Sequence, residues 1–193
     1  MITFDHFRDQ KSPLHVAGLV AEKFWEKEQF DTKEDWDNLE KVREKWQEIR
    51  NHVVQVLDKT PDTEFNHTHP GHNQKGLEKQ LIIHSPGFES KAQEVCSQMI
   101  EVCIMLQDLP RVVESVLGSV YITVLEPGAA VLPHVSKTNF NLRVALPLVA
   151  PEFDKSTMGL HLPEAGMAVG DHTVVVFEQG KLAIYDPSFS HQV

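Results

Sequence analysis

Val120-Tyr121-Ile122-Thr123-Val124-Leu125, closed by Glu126-Pro127-Gly128, is the stretch at which the chain changes character. Six β-branched, aromatic or aliphatic residues in a row, ended by a Pro-Gly turn, read as a strand and not as a helix. Downstream the pattern repeats. Leu142 to Leu146, Thr173 to Phe177 and Leu182 to Tyr185 are further β-rich runs separated by Pro and Gly. Many short strands punctuated in this way predict an antiparallel sandwich or barrel.

Upstream the period is helical. Ser12-Pro13 offers a cap followed by proline at a first helical position. Val16, Leu19, Val20, Phe24 and Trp25 then recur at helical spacing, which predicts a helix over Leu14 to Phe30. Thr32-Lys33-Glu34-Asp35 resembles a capping box with Asp in the place of Glu or Gln. It opens an amphipathic run through Trp36, Leu39, Val42, Trp46, Ile49, Val53 and Leu57. The polar stretch 59–79 reads as a loop, Gln80 to His84 as a short strand, Ser90 to Leu106 as a helix, and Arg111 to Leu117 as a short helix after Pro110. Helices first and strands second is the α+β arrangement. The expected organisation is one domain over 1–193, with a mainly helical lead-in at 1–118 packed on one face of a β core at 119–193.

Composition narrows the function. The formal net charge of −10 argues against a nucleic-acid partner, which needs a basic footprint. No apolar run reaches the ~18 residues of a membrane span, and no secretory signal stands at the start. Cys96 and Cys103 lie seven apart in the expected helix Ser90 to Leu106. On one continuous helix their Cα atoms would be ~10 Å apart, beyond the ~7 Å reach of a disulfide. Two free thiols and no leader make a cytoplasmic location the expectation.

Two phrases carry the chemistry. Glu126 to Arg143 contains Pro133-His134-Val135-Ser136-Lys137-Thr138-Asn139, and Gly180 to Val193 contains Tyr185-Asp186-Pro187-Ser188-Phe189-Ser190-His191. Each sets a histidine at the end of an apolar alternating run, beside turn residues, as a barrel does when it aims imidazoles into its mouth. Two histidines that share Fe(II) leave positions open for other ligands. The carboxylate that usually completes such a site lies two residues after the first histidine, where this chain has Ser136. The alternative is a pair of turn histidines in a catalytically inactive barrel. Arg143 shares a strand face with Asn141 and Ala145, which suits either a cavity-facing carboxylate clamp or an ordinary surface arginine. His67, His69 and His72 cluster in the polar stretch without a recognised zinc spacing. They read as a dedicated metal site or as a loop that touches substrate. Trp25, Trp36 and Trp46 read as packing residues. There is no nucleotide-binding glycine fingerprint and no nucleophile elbow.

Pro127-Gly128, Pro133-His134, Asn139, Arg143, Asp186, Ser188-Phe189 and His191 together resemble the aspartyl/asparaginyl β-hydroxylase family, best over 119–193. The resemblance implies a double-stranded β-helix, a jelly-roll or cupin-like barrel. It also implies a dioxygenase that uses Fe(II) and 2-oxoglutarate to hydroxylate a C–H bond. By that likeness His134 and His191 ligate the metal, and Ser136 stands where the family has a small residue and water in place of a carboxylate. Thr123 supplies a hydroxyl near 2-oxoglutarate, and Arg143 pairs with a carboxylate of substrate or cosubstrate. The substrate would be a small molecule or peptide carrying a carboxylate or amide: a free amino acid, or an aspartyl or asparaginyl side chain.

Two departures keep a second reading open. Ala145 stands where the family has a further histidine. Val193 comes before the strand on which the family carries an arginine for the distal carboxylate of 2-oxoglutarate, so the expectation is a barrel truncated at its C-terminus. The second reading is a carboxylate-binding barrel without turnover.

Overall fold

A computed structural model describes residues 12–61, 65–67, 74–75, 78–151, 166–170 and 173–193. The helices are α1 (Lys33–Glu44), α2 (Trp46–Leu57), α3 (Glu89–Gln98), α4 (Ile100–Leu106) and α5 (Pro110–Val113). The strands are β1 (Asn66–His67), β2 (Gln74–Lys75), β3 (Glu78–His84), β4 (Val120–Leu125), β5 (Ala130–Val131), β6 (Arg143–Ala145), β7 (Gly166–Val169), β8 (Thr173–Val176), β9 (Ala183–Tyr185) and β10 (His191–Gln192). The chain divides into two compact units. One is Asp31–Ala129; the other joins the residues up to Phe30 to Ala130–Val193.

In the first unit Thr32 caps α1: its Oγ1 accepts from the Asp35 amide at 3.3 Å and donates to the Asp35 carboxylate at 2.6 Å. Thr32 is therefore an N-cap, and the Asp35 carboxylate holds its hydroxyl rather than the Thr32 amide that a capping box would engage. The amphipathic run continues to Leu57, but it bends at Lys45, which separates α1 from α2 with no proline or glycine to mark the break. Ile49, Val53 and Val56 of α2 are buried, as the spacing requires. The sheet runs β1-β3-β4, antiparallel throughout, with Leu81 opposite Ile122. Leu81, Ile82 and Ile83 are buried in succession, so this central strand is covered on both faces. Pro127 and Gly128, the latter at φ 78°, form the turn after β4, and the Ala129 amide donates to the Glu126 carbonyl at 2.9 Å. Only glycine enters that conformation without strain.

The expected helix from Ser90 to Leu106 is two helices. Met99, at φ −141° and ψ 53°, ends α3 and begins α4, and its side chain is almost wholly buried. The break brings the Cα atoms of Cys96 and Cys103 to 5.8 Å, and the two are disulfide-bonded. The free-thiol expectation is therefore overturned, and with it the thiol argument for a reducing compartment. Among the described residues no helix is long and apolar enough to cross a membrane.

In the second unit the helix expected over Leu14 to Phe30 is absent. A 3₁₀ turn spans Lys27–Gln29; residues 12–26 before it are extended or turned. Gly18 sits at φ 87°, a left-handed turn that interrupts any helix. The segment instead pairs as an irregular strand. The Leu14 amide donates to the Lys137 carbonyl at 3.0 Å and the Trp25 amide to the Ile184 carbonyl at 2.9 Å. The Asn139 amide acts as a backbone mimic: its Oδ1 accepts from the Val16 amide at 2.8 Å and its Nδ2 donates to the Val16 carbonyl at 3.0 Å. Four backbone groups, the amides of Leu14, Val16 and Trp25 and the Val16 carbonyl, are thus paired with distant parts of the chain; a helix beginning at Leu14 would have left the first two of those amides unsatisfied.

The strands of this unit form small antiparallel sheets, β10-β7-β8 and β6-β9. Among the described residues these pairings do not close a barrel. Met167, Val169, Tyr185 and Phe189 make the core, with Ala21, Phe24, Phe177 and Val193 packed against it. Val169 is fully buried, and burial of such a side chain contributes roughly 2 kcal/mol.

Candidate metal centre

The site begins with a turn. Asp186 accepts the Ser188 amide through Oδ1 at 2.8 Å, an Asx turn in a place where both residues are buried. The Pro187 carbonyl accepts the Ser136 amide at 2.7 Å, which ties this turn to the loop that follows His134. Beyond the turn the chain runs antiparallel to residues 131–134. His134 and His191 exchange both backbone hydrogen bonds, each at 2.9 Å, and the amides and carbonyls of Val131 and Val193 do likewise at 2.7 and 3.1 Å. Residues directly opposite in such a ladder project to the same face. The two imidazole centroids are 4.1 Å apart. An imidazole bound at ~2.1 Å from a metal places its centroid ~3 Å from the ion, so one ion can serve both rings.

The protonation pattern follows from the partners. His134 Nδ1 lies 2.9 Å from the Leu132 carbonyl and His191 Nδ1 lies 3.0 Å from the Phe189 carbonyl. A carbonyl oxygen only accepts, so each Nδ1 carries a proton; His191, which burial holds neutral, therefore has its lone pair on Nε2. His191 Nε2 is buried with no hydrogen-bond partner among the described residues. Burial pushes this imidazole down to about 4; the Phe189 carbonyl bond opposes the shift, and His134 and Arg143 reinforce it. A buried, neutral imidazole with an unpartnered basic nitrogen is what a transition metal requires, and orientation of the ring through the other nitrogen is how proteins hold such ligands. The donor set therefore fits a divalent ion.

Arg143 stands opposite Tyr185 in the β6–β9 register. That register sets the arginine beside the Tyr185 phenol, whose ionisation burial pushes up and the arginine pulls back. The tyrosine ring in turn meets the His191 ring edge-on at 5.3 Å. Arginine, tyrosine and the two histidines thus form one chain of contacts. The tyrosine was not singled out from the sequence, because only the strand register brings it opposite Arg143.

The Ser136 hydroxyl donates to the Thr138 carbonyl and accepts the Thr138 amide at 3.3 Å, so it serves its own loop. Thr123 belongs to β4 of the helical unit, where it pairs with Gln80 and is exposed. Ala145 faces Ala183. His69 and His72 lie outside the described residues, as does the side chain of His67. Sequence reading also passed over Glu48, His52 and Glu101, whose ligand atoms lie within 4.8 Å of one another at the surface of the helical unit. A contact of 2.8 Å between His52 Nε2 and the Glu101 carboxylate already engages two of the three.

Two imidazoles on one antiparallel pair, with Arg143 opposite the tyrosine that His191 abuts, are the groups this unit brings together. Residues 43–193 match the family described as aspartyl/asparaginyl beta-hydroxylase, and the chain belongs to that family. Over 185 residues it is 26% identical to the human protein of that name and 26% identical to the mouse one, covering 95% of this chain and 22% of each relative. The chain thus spans about a fifth of the length of the curated relatives it matches.

Proposed function

We propose that this chain is an Fe(II)- and 2-oxoglutarate-dependent hydroxylase acting on a C–H bond of an aspartyl/asparaginyl-type or free amino-acid substrate. The observation that carries the reading is the histidine pair: two rings on one face, both protonated at Nδ1, with His191 Nε2 buried and unpartnered among the described residues. Family membership supports a hydroxylase, and the name of the human and mouse relatives points to the substrate class. On this reading the short antiparallel sheets are parts of a double-stranded β-helix, with the site at its mouth.

His134 and His191 would hold the iron, which when bound supplies oxygen activation that no side chain can. The work of the chain is placement. The Asx turn at Asp186 fixes the His191 arm, and the Ser136–Pro187 bond locks it to the His134 arm. Arg143 offers a planar fork to a carboxylate of substrate or cosubstrate. The apolar wall of Met167, Val169 and Phe189 keeps water from the buried side of His191.

Anaerobic titration with Fe(II), then 2-oxoglutarate, followed by exposure to O₂ with aspartate, asparagine and peptides that carry them, tests the proposal. Succinate formation that disappears in His134→Ala and His191→Ala is expected. A wild-type protein that binds no divalent ion sinks it. Binding of Fe(II) and 2-oxoglutarate without succinate from any such substrate would favour the carboxylate-binding module, to which Ala145 also points.

A further inference from the structure

Tyr185 is buried, with 4% of its surface exposed, inside an apolar cluster that phenylalanine would fill equally well. Its hydroxyl is the anomaly. A buried phenol needs a partner, and its absence costs stability. The Arg143 guanidinium, from the directly opposite position on β6, is placed to be that partner. Arg143 itself stands on an exposed stretch: Asn141, Leu142 and Val144 around it are exposed as well. An arginine in such a place ordinarily samples many rotamers, and fixing one costs entropy. The tyrosine cannot drift, because its ring is held by Met167, Val169 and Phe189 and abuts the His191 ring at 5.3 Å.

We propose that Tyr185 is a positioning residue that anchors the Arg143 guanidinium beside the histidine pair, so that a carboxylate is met at a set distance from His191. The tyrosine touches neither substrate nor metal. It turns a mobile surface cation into an oriented fork, and so selects acids whose carboxylate reaches that point over neutral analogues of the same length. This rests on the function proposed above for the identity of the acid, but not for the anchoring itself.

The test uses Tyr185→Phe, which keeps the ring and removes the hydroxyl. In metal-free protein, the Arg143 Nε–H resonance, assigned by its absence in Arg143→Lys, should be sharp and slowly exchanging in wild type and broadened or lost in Y185F. In Mn(II)-loaded protein, calorimetry with 2-oxoglutarate as the probe should show affinity falling about tenfold in Y185F, the size expected for one charge-assisted hydrogen bond. Mn(II) affinity should be unchanged. The two substitutions together should cost no more than Arg143→Lys alone. An unaltered Arg143 resonance in Y185F overturns the proposal, and so does an unaltered 2-oxoglutarate affinity or strict additivity of the two variants. If wild type binds no divalent ion, the function proposed above fails; the Arg143 resonance, read without metal, then decides the tyrosine's role.

Discussion

At the scale of single residues, His191 joins chemistry to stability. Its folded imidazole titrates at about 4, against 6.5 for the unfolded group, chiefly because it is buried. The folded state therefore binds fewer protons than the unfolded state between those two values, and stability rises with pH across that window. The contribution is fully present above about 6.5 and is lost as pH falls towards about 4. It amounts to at most ~3 kcal/mol. Urea midpoints of metal-free protein measured from pH 7.5 down to 4.5 should fall more steeply for wild type than for His191→Gln. Parallel curves would show that another group governs acid sensitivity. Proton competition for His191 Nε2 in the folded protein should weaken metal affinity only as pH approaches about 4.

At the scale of elements, two features carry more than their length suggests. The first is the corner between α3 and α4, closed by Cys96 and Cys103 over seven residues of sequence. Cross-linking a loop of that size stabilises by about 2 kcal/mol, largely through the unfolded chain. Cys96→Ser/Cys103→Ser, or thiol reduction, should lower the unfolding free energy by that amount, with a lower midpoint, and leave the spectrum of the folded protein unchanged. A midpoint that does not move would mean that the corner is held by Met99 alone. The second feature is the extended segment before Phe30, pinned by Asn139 to both polar groups of Val16. Asn139→Ala leaves the Val16 amide without its acceptor and should cost about 1–3 kcal/mol. Hydrogen exchange should quicken at Val16 and Leu14. Exchange that stays slow there would show that the segment is held by other contacts.

At the scale of the whole molecule, a ligand that binds only the folded state stabilises it by mass action. A divalent ion at a hundred times its dissociation constant adds about 2.7 kcal/mol. Anaerobic Fe(II), or Mn(II) in its place, should therefore raise the thermal midpoint of wild type by several degrees. His134→Ala and His191→Ala should each abolish the rise. If His52→Ala abolishes it instead, the ion occupies the exposed trio at Glu48, His52 and Glu101, and the histidine pair is not the metal centre. This comparison separates the two places where the described residues gather metal-binding groups.

Much of this protein was legible along the chain. The residues that mark the family, the strands around Val120 to Leu125 and Ala183 to Tyr185, the Thr32 cap and the buried stripe of α2 are written in local periodicity and in motifs of a few residues. Those signals need only neighbours within a turn of helix or a pair of strand positions. The extended course of residues before Lys27, the break at Met99 and the disulfide it permits were not legible. Nor were the pairing of Arg143 with Tyr185 and the Nδ1 protonation of both histidines. Each depends on a partner brought close by the folded chain: Asn139 for Val16, Ile184 for Trp25, Tyr185 for Arg143. A helical spacing of apolar side chains states a preference worth tenths of a kcal/mol per residue. A set of backbone bonds to a distant strand outweighs it, and only the tertiary structure could decide between them.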